Sequence, residues 1–409
     1  MNTTKEPVWR TALSGAQILF VAFGATVLVP LLTGLNPSLA LLGAGIGTLI
    51  FQICTRREVP IYLGSSFAFI APVIYSVQAW GMPATMGALA SASFFYYVAA
   101  GLVKWRGVGF IHRLLPPVVI GPVVMVIGLG LAQVAVSMAT GKAGDQQVVP
   151  YSTALSIAAI SLLATMLTAI RAKGLLKLVP ILVGVAVGYV ASLFMGVVDF
   201  SKVTQAAWLV VPEFGKPEFN LAAILFMIPV AIAPIVEHVG GVLAIGSVTG
   251  KDFTETPGLH RTLLGDGLAV NIVGMFGGPP VTTYGEVTGA VMLTKNFNPV
   301  VMTWAACFAI LMAFVGKFGA LLQTIPMPVM GGIMMLLFGS IAGIGLKTIM
   351  EGRVDLSSAR NLCIVSVTLV TGIGGLGLTI GSFSLQGISL CGVLAVLLNL
   401  LLPSEVLAK

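Results

Sequence analysis

The 409-residue chain is 57% hydrophobic and only 9% charged, with a formal net charge of +7 at neutral pH. Soluble domains carry about 25% charged residues, so the composition excludes a water-soluble fold. Long uncharged runs recur along the whole length, as spanning helices of about 20 apolar residues require, and the chain reads as a polytopic membrane protein.

Taken in order, residues 11–55 and 59–103 carry no charge. Each is long enough for two crossings, with turns expected at Gly34-Leu35-Asn36-Pro37 and around Gly81-Met82-Pro83. Single crossings fit 114–141, 146–170 and 178–198, and 219–250 holds one more, interrupted by Glu237. Residues 262–294 hold two, one of them short, and carry Asp266 and Glu286. Single crossings follow at 296–316 and 318–346, and 361–404 holds the last two, which makes fourteen. Sidedness of Lys and Arg tests that count. With the N-terminus inside, Lys142, Lys202, Lys216 and Lys317 fall outside and the other 17 of the 21 basic residues fall inside, so both termini are expected in the cytoplasm. The positive charge is thus a matter of topology and not of nucleic-acid binding. The opening residues MNTTKEPVWR form no evident signal peptide, and the apolar stretch after them is expected to remain as the first crossing. Cys54, Cys307, Cys363 and Cys391 show no metal-site spacing and are expected to be small buried hydrophobes.

An internal repeat lies across the middle. Residues 117–128, PVVIGPVVMVIG, and 328–339, PVMGGIMMLLFG, share Pro, Val, Gly and Gly at a constant offset of 211. Seven crossings per repeat is an odd number, so the halves are expected to be inverted. In such folds the binding site lies at the bilayer midplane, in Gly/Pro-interrupted segments at matching places of the two halves. The third crossing, VPIYLGSSFAFIAP, and the tenth, PPVTTYGEVTG, fit this description. Each is expected to form a short β-strand followed by a half-helix whose N-terminus aims free N–H groups and a positive dipole end inward. Glu286 falls at the start of the second half-helix, and Glu237 falls near the middle of the eighth crossing with His238 beside it. An acid in the bilayer costs about 2.5–3.5 kcal/mol on insertion scales, so both are expected to face a polar cavity or a partner.

At these residues the sequence resembles the nucleobase/ascorbate transporter family, most closely its bacterial uracil permeases. FGATVLVP (23–30), YLGSSFAFIAP (62–72), EHVG (237–240), TTYGE (282–286) and IPMPVMGG (325–332) follow the family's motifs in order. The resemblance runs from about Ala16 to Pro403. It implies an all-α protein of fourteen crossings in two inverted seven-crossing repeats. A core domain would comprise 11–113 and 219–320, and a gate domain 114–200 and 321–404. It also implies proton-coupled import of a nucleobase across the bacterial inner membrane, by a homodimer joined through the gate domain, with no cofactor beyond the coupling proton. Carried over residue by residue, Glu237 and Glu286 would bind the base through side chains, Phe69 and Gly285 through backbone groups, and Tyr284 would pack near it. Gln17, Ser65, Ser66, Gly241 and Val287 would stand behind these. The sequence departs from the family pattern at three of the positions: Val287 replaces the usual Asn, Ile18 replaces a His after Gln17, and Gly241 replaces a His four residues after the first acid.

A pyrimidine edge alternates N–H donors with carbonyl acceptors. An ionised Glu accepts from the donors, whereas a protonated one also donates to a carbonyl. The coupling proton is assigned to Glu237, with His238 beside it, because the half-helix dipole favours the ionised form of Glu286. Plainer roles stand next to these: Phe69 and Tyr284 as core aromatics, His238 as a packing residue bonded to a carbonyl, Asp266 as a cap or pair near the cytoplasmic face, and Ser65 and Ser66 as partners of half-helix backbone groups. Among other functions, a purine permease of the same fold stays open, as does a passive channel. An anion carrier is disfavoured by two acids and by the lack of Lys or Arg in the half-helix segments. A membrane enzyme is disfavoured by the absence of D-D-x-x-D and H-E-x-x-H.

Overall fold

The computed structural model describes residues 7–144, 146–380 and 383–403. Helix α1 (Val8–Thr33) ends on Gly34 in the left-handed region, and α2 (Pro37–Cys54) starts with Pro37 in its first turn and the Asn36 side chain accepting from the Ser38 N–H. The turn expected between the first two crossings is therefore built from cap chemistry. Strand β1 (Leu63–Ser65) and a single 3-10 turn (Phe67–Phe69) lead into α3 (Ile70–Arg106), which is broken at Gly81, where φ is 81° and ψ is 169°. Only glycine takes up that backbone without strain, so the helix breaks where the sequence led us to expect a turn. Next come α4 (Val108–Leu114), α5 (Pro117–Leu129), α6 (Ala132–Ala139) and a small hairpin of β2 (Lys142–Ala143) and β3 (Gln146–Gln147). Helices α7 (Tyr151–Arg171), α8 (Pro180–Phe194) and α9 (Ser201–Gln205) complete the first half.

The second half opens with α10 (Leu221–Met227), a 3-10 turn (Ile228–Ala231) and α11 (Ile232–Thr249), followed by α12 (Leu259–Phe276). Strand β4 (Val281–Thr283) precedes α13 (Gly285–Thr294); α14 (Val300–Ala313), α15 (Gly316–Gln323), α16 (Met327–Glu351) and α17 (Ala359–Ile373) follow. A hairpin of β5 (Gly377–Ile380) and β6 (Phe383–Gln386) leads to α18 (Gly387–Leu401). Among the described residues, seven helical stretches are long and apolar enough to cross a membrane, and four shorter apolar helices accompany them. Leu155, Leu163, Leu167 and Ile170 of α7 are all exposed, as a helix facing lipid requires and a helix facing water does not tolerate.

The most extensive helix packing falls into two sets, which meet where α1 touches α8 and α11 touches α5 and α18. Helix α12 lies on α2 and α3, and α14 lies on α1 and α2; separately, α16 lies on α5, α6 and α7, α17 on α5 and α18, and α7 on α8. The repeated segments at the starts of α5 and α16 belong to helices that pack on each other, and glycines let them approach closely: a Cβ on Gly121 would meet the Ile349 side chain, one on Gly128 would meet the backbone of Phe338, and one on Gly345, beyond the repeat, would meet Met125. Between α9 and α10 the chain runs extended across the ends of other helices. Val210 N–H donates to Phe314 C=O (3.0 Å), Gly215 N–H to Phe276 C=O (3.3 Å) and Glu218 N–H to Pro83 C=O (2.9 Å). One expectation fails at Cys363, which is exposed on α17, whereas Cys391 is buried and Cys54 and Cys307 are half-buried. In a bilayer the exposed face of a spanning helix is apolar too, so an apolar residue gains nothing from turning inward.

Candidate functional site

The site is built around two strands from opposite halves of the chain. β1 and β4 pair antiparallel, Leu63 with Thr283, Gly64 with Thr282 and Ser65 with Val281. The ladder continues symmetrically beyond both ends: Ser66 N–H donates to Pro280 C=O (2.8 Å), and Tyr284 N–H donates to Tyr62 C=O (3.2 Å). These bonds are related by a local two-fold axis through the Gly64–Thr282 pair. The helices that follow therefore leave the ladder in opposite directions. Among the described residues neither helix start has a side-chain cap: Ser66 precedes the 3-10 turn and Tyr284 precedes α13 without capping them. Two sets of helix-start N–H groups thus remain for a ligand with acceptor atoms.

An isolated two-stranded ladder inside a helical protein leaves its outer edges unpaired, and each edge group needs a partner. Helix α2 supplies one within β1 and another in the segment leading into it. Thr48 Oγ1 accepts from Leu63 N–H (2.9 Å), and the buried Gln52 Nε2 donates to Val59 C=O (2.9 Å). Ser65 Oγ donates to Thr26 C=O on α1 (2.9 Å), so this serine ties the strand to a neighbouring helix and does not serve the half-helix backbone. Ser66 Oγ, Thr282 Oγ1 and Thr283 Oγ1 are buried and have no hydrogen-bond partner among the described residues.

Tyr284 is 4% exposed; its ring lies across Gly64 and its hydroxyl donates to Ser65 C=O (2.9 Å). It is a clamp across the strand pair, whatever else it touches. Phe69 is fully buried at the foot of α3, and Gly285 is the exposed first residue of α13, with Val287 buried one position past Glu286. The side chain of Glu286 lies outside the described residues. Glu237 is half-buried on α11, which packs against both β4 and α13. Gly241, one turn further along α11, faces β4: a Cβ there would approach Thr283 Oγ1 to 2.8 Å. Gln17 stands apart from the ladder, in a cavity of about 20 Å³ shared with Ser14, Thr294 and Asn296, room for about one water molecule.

His238 is fully buried, as expected of a packing residue, but its partners are side chains and not a carbonyl. Nε2 lies 3.0 Å from Thr262 Oγ1, and Nδ1 lies 3.0 Å from Asp266 Oδ2. Asp266 is likewise 0% exposed, in the middle of α12 and not at a helix end. Sequence reasoning missed this pairing because it depends on how α11 docks on α12. The available signal was an acid held between two glycines, Gly265 and Gly267.

Comparisons with known proteins give the family and the fold. The model of a group described as a permease family matches residues 10–381. A Pasteurella multocida protein named probable uracil permease is 58% identical over 394 residues, covering 96% of this chain and 94% of that protein. The uracil permease of Escherichia coli is 39% identical over 409 residues, covering 98% and 95%. Among solved structures, the transmembrane domain of the cyanobacterial bicarbonate transporter BicA has the same fold, with a TM-score of 0.65 over 98% of each chain at 14% identity.

Proposed function

Because the chain belongs to the permease family, we propose that it imports a nucleobase, uracil foremost, across the bacterial inner membrane by proton symport with alternating access. It is a transport protein and not an enzyme. The observation that carries this reading is the β1–β4 ladder, which sets two uncapped helix starts at its ends beside the helix that bears Glu237. A flat neutral base offers carbonyl oxygens to such N–H groups and N–H groups to carboxylates, and this site offers both complements. Glu237 and Glu286 hold the base by their side chains, and Phe69 and Gly285 by their backbone groups. Tyr284 holds the platform on which it rests. The coupling proton resides on Glu237.

We read the spans as fourteen crossings in two inverted repeats, with both termini cytoplasmic. The core is 11–113 with 219–320, and the gate, which joins two copies as a homodimer, is 114–200 with 321–404. Support for the division comes from the two sets of helix packing partners, and support for inversion from the two-fold symmetry of the ladder. Motion of one set against the other would open the ladder to each side in turn.

The test is uptake of radiolabelled uracil into proteoliposomes with and without an inward proton gradient, competed by xanthine and thymine. Gradient-driven uptake by wild type that is lost in Glu286→Ala and uncoupled from pH in Glu237→Gln supports the reading. Uphill, fully pH-dependent accumulation by Glu237→Gln refutes the proton assignment. Transport of xanthine in place of uracil moves the cargo to purines. That second reading is favoured by Gly241, which leaves the space beside Thr283 free of a side chain.

A further inference from the structure

The stretch of α11 that carries Glu237 has little rigidity of its own. It follows a 3-10 turn containing Pro229, has Pro234 in its first turn, and runs directly into Gly240-Gly241. Glu237 thus sits between a proline-marked helix start and a glycine pair that adds backbone freedom, and a contact to a neighbouring helix is what sets the direction of residue 237. The next residue makes that contact. His238 meets residues one turn apart on α12 at both ring nitrogens: Nε2 hydrogen-bonds Thr262 Oγ1 at 3.0 Å, and Nδ1 lies at ion-pair distance from Asp266 Oδ2, 3.0 Å, without hydrogen-bond alignment. Two anchors on one flat ring define both the distance between the helices and the rotation of α11 about its own axis.

We infer that Asp266, acting through His238, is a positioning residue that aims Glu237 at the cargo. An ionisable side chain buried without any exposure in an apolar protein is retained where it has work to do, and the surroundings of Asp266 are shaped to admit it. A Cβ on Gly265 would lie 3.1 Å from Cys54 Cβ on α2, and a Cβ on Gly267 would lie 2.6 Å from Tyr96 Cβ on α3. The acid thus sits at a three-helix junction too tight for side chains at its neighbouring positions. The ring of His238 also stands edge-on to Phe51 of α2 at 6.2 Å. Among the described residues, the other titratable groups near the pair are Glu237 and the phenol of Tyr96, which is buried and lies within electrostatic reach of both acids. Thr262 Oγ1 is also 3.0 Å from Leu259 C=O, the natural acceptor for its proton. Its lone pairs then face His238, whose Nε2 donates. For Nδ1 to pair with the carboxylate of Asp266 it must carry a proton as well, which makes the ring an imidazolium.

The inference rests on Glu237 being a cargo ligand, and the experiment separates the two ideas by comparing variants with a wild type measured first, on the base that wild type transports best. Asp266→Asn is expected to raise the KM for that base at least tenfold and to displace the pH profile of uptake, neither of which a merely structural role moves in correctly inserted protein. His238→Asn keeps a donor near the Nδ1 position and is expected to retain more uptake than His238→Gln, which keeps one near Nε2. Should Asp266→Asn not be recovered from the membrane, the paired change His238→Leu with Asp266→Leu leaves no buried charge behind. It is expected to insert and to show the same rise in KM. A wild-type KM and pH profile in Asp266→Asn, or in the paired variant, overturns the inference. So does a better rescue by Gln than by Asn. A wild type that takes up none of the bases overturns both ideas, since Glu237 then has nothing to be aimed at.

Discussion

Replacing Gly64 with alanine places one methyl group where the ring of Tyr284 already lies. An ideal Cβ at Gly64 meets three ring carbons, the farthest at 2.8 Å, well inside the ~3.5–4.0 Å at which carbon atoms rest against one another. The ring has nowhere to slide, because its hydroxyl is held 2.9 Å from Ser65 C=O and the side chain is 4% exposed. If the ring stays, the strand pair is overpacked at a cost of about 1–3 kcal/mol. If it swings out, the buried Ser65 carbonyl also loses its hydroxyl partner, about 1–3 kcal/mol more. Tyr284→Phe removes the hydroxyl alone and is expected to cost about 1–2 kcal/mol. Thermal unfolding of the purified protein in detergent, followed by fluorescence of its five tryptophans, should therefore rank wild type above Tyr284→Phe and Tyr284→Phe above Gly64→Ala. A Gly64→Ala protein as stable as wild type, or more stable than Tyr284→Phe, would show that the ring does not clamp the strands.

Thr48→Val keeps the shape of the side chain and strands the Leu63 N–H; it should destabilise by about 1–3 kcal/mol in the same assay, while Thr48→Ser stays near wild type. Gln52→Leu removes the donor to Val59 C=O and should cost about 1–2 kcal/mol while leaving the membrane insertion of α2 unchanged, which protease protection can check. Gly345→Val forces α16 away from α5 against Met125 and should lower the melting temperature and slow uptake together. Asp199 is fully exposed, and the N–H and hydroxyl of Ser201 hold its carboxyl below the ordinary carboxylate value. A depressed folded-state value stabilises above the ordinary carboxylate range and ceases to do so as pH falls through the folded value. Asp199→Asn should therefore differ from wild type in melting temperature near neutral pH and converge with it in strong acid.

The sequence displayed what depends on local chemistry. The ends of spans are marked by charge, the break in α3 by Gly81 ahead of Pro83, and the strands by β-branched and aromatic residues between proline and glycine. Docking was hidden. Nothing local distinguishes Thr48 and Gln52 from the other small polar residues of an apolar helix, yet Thr48 pairs the outer edge of β1 and Gln52 holds the segment that leads into it. Asp266 showed only its flanking glycines, and its partner is on another helix. The fifth predicted crossing is divided into α5 and α6 around Gly130, and the segment between α9 and α10 is extended because its backbone groups find partners on α14, α12 and α3. A hydropathy pattern carries no information about either.

The ladder at the centre of the molecule also bears on how the protein is made. β1 leaves the ribosome long before β4, which lies roughly 200 residues later, a wait of some 10–40 s at about 5–20 residues per second. During that time the pairing groups of β1, at Gly64 and Ser66, have no strand to bond to in a bilayer that offers no water in its place. Residues 60–69 must be shielded by the insertion machinery, or held at the water interface, until the second half arrives. The last step of assembly is then the closing of a short two-stranded ladder between distant parts of the chain, and the candidate site comes into existence only when that step is done.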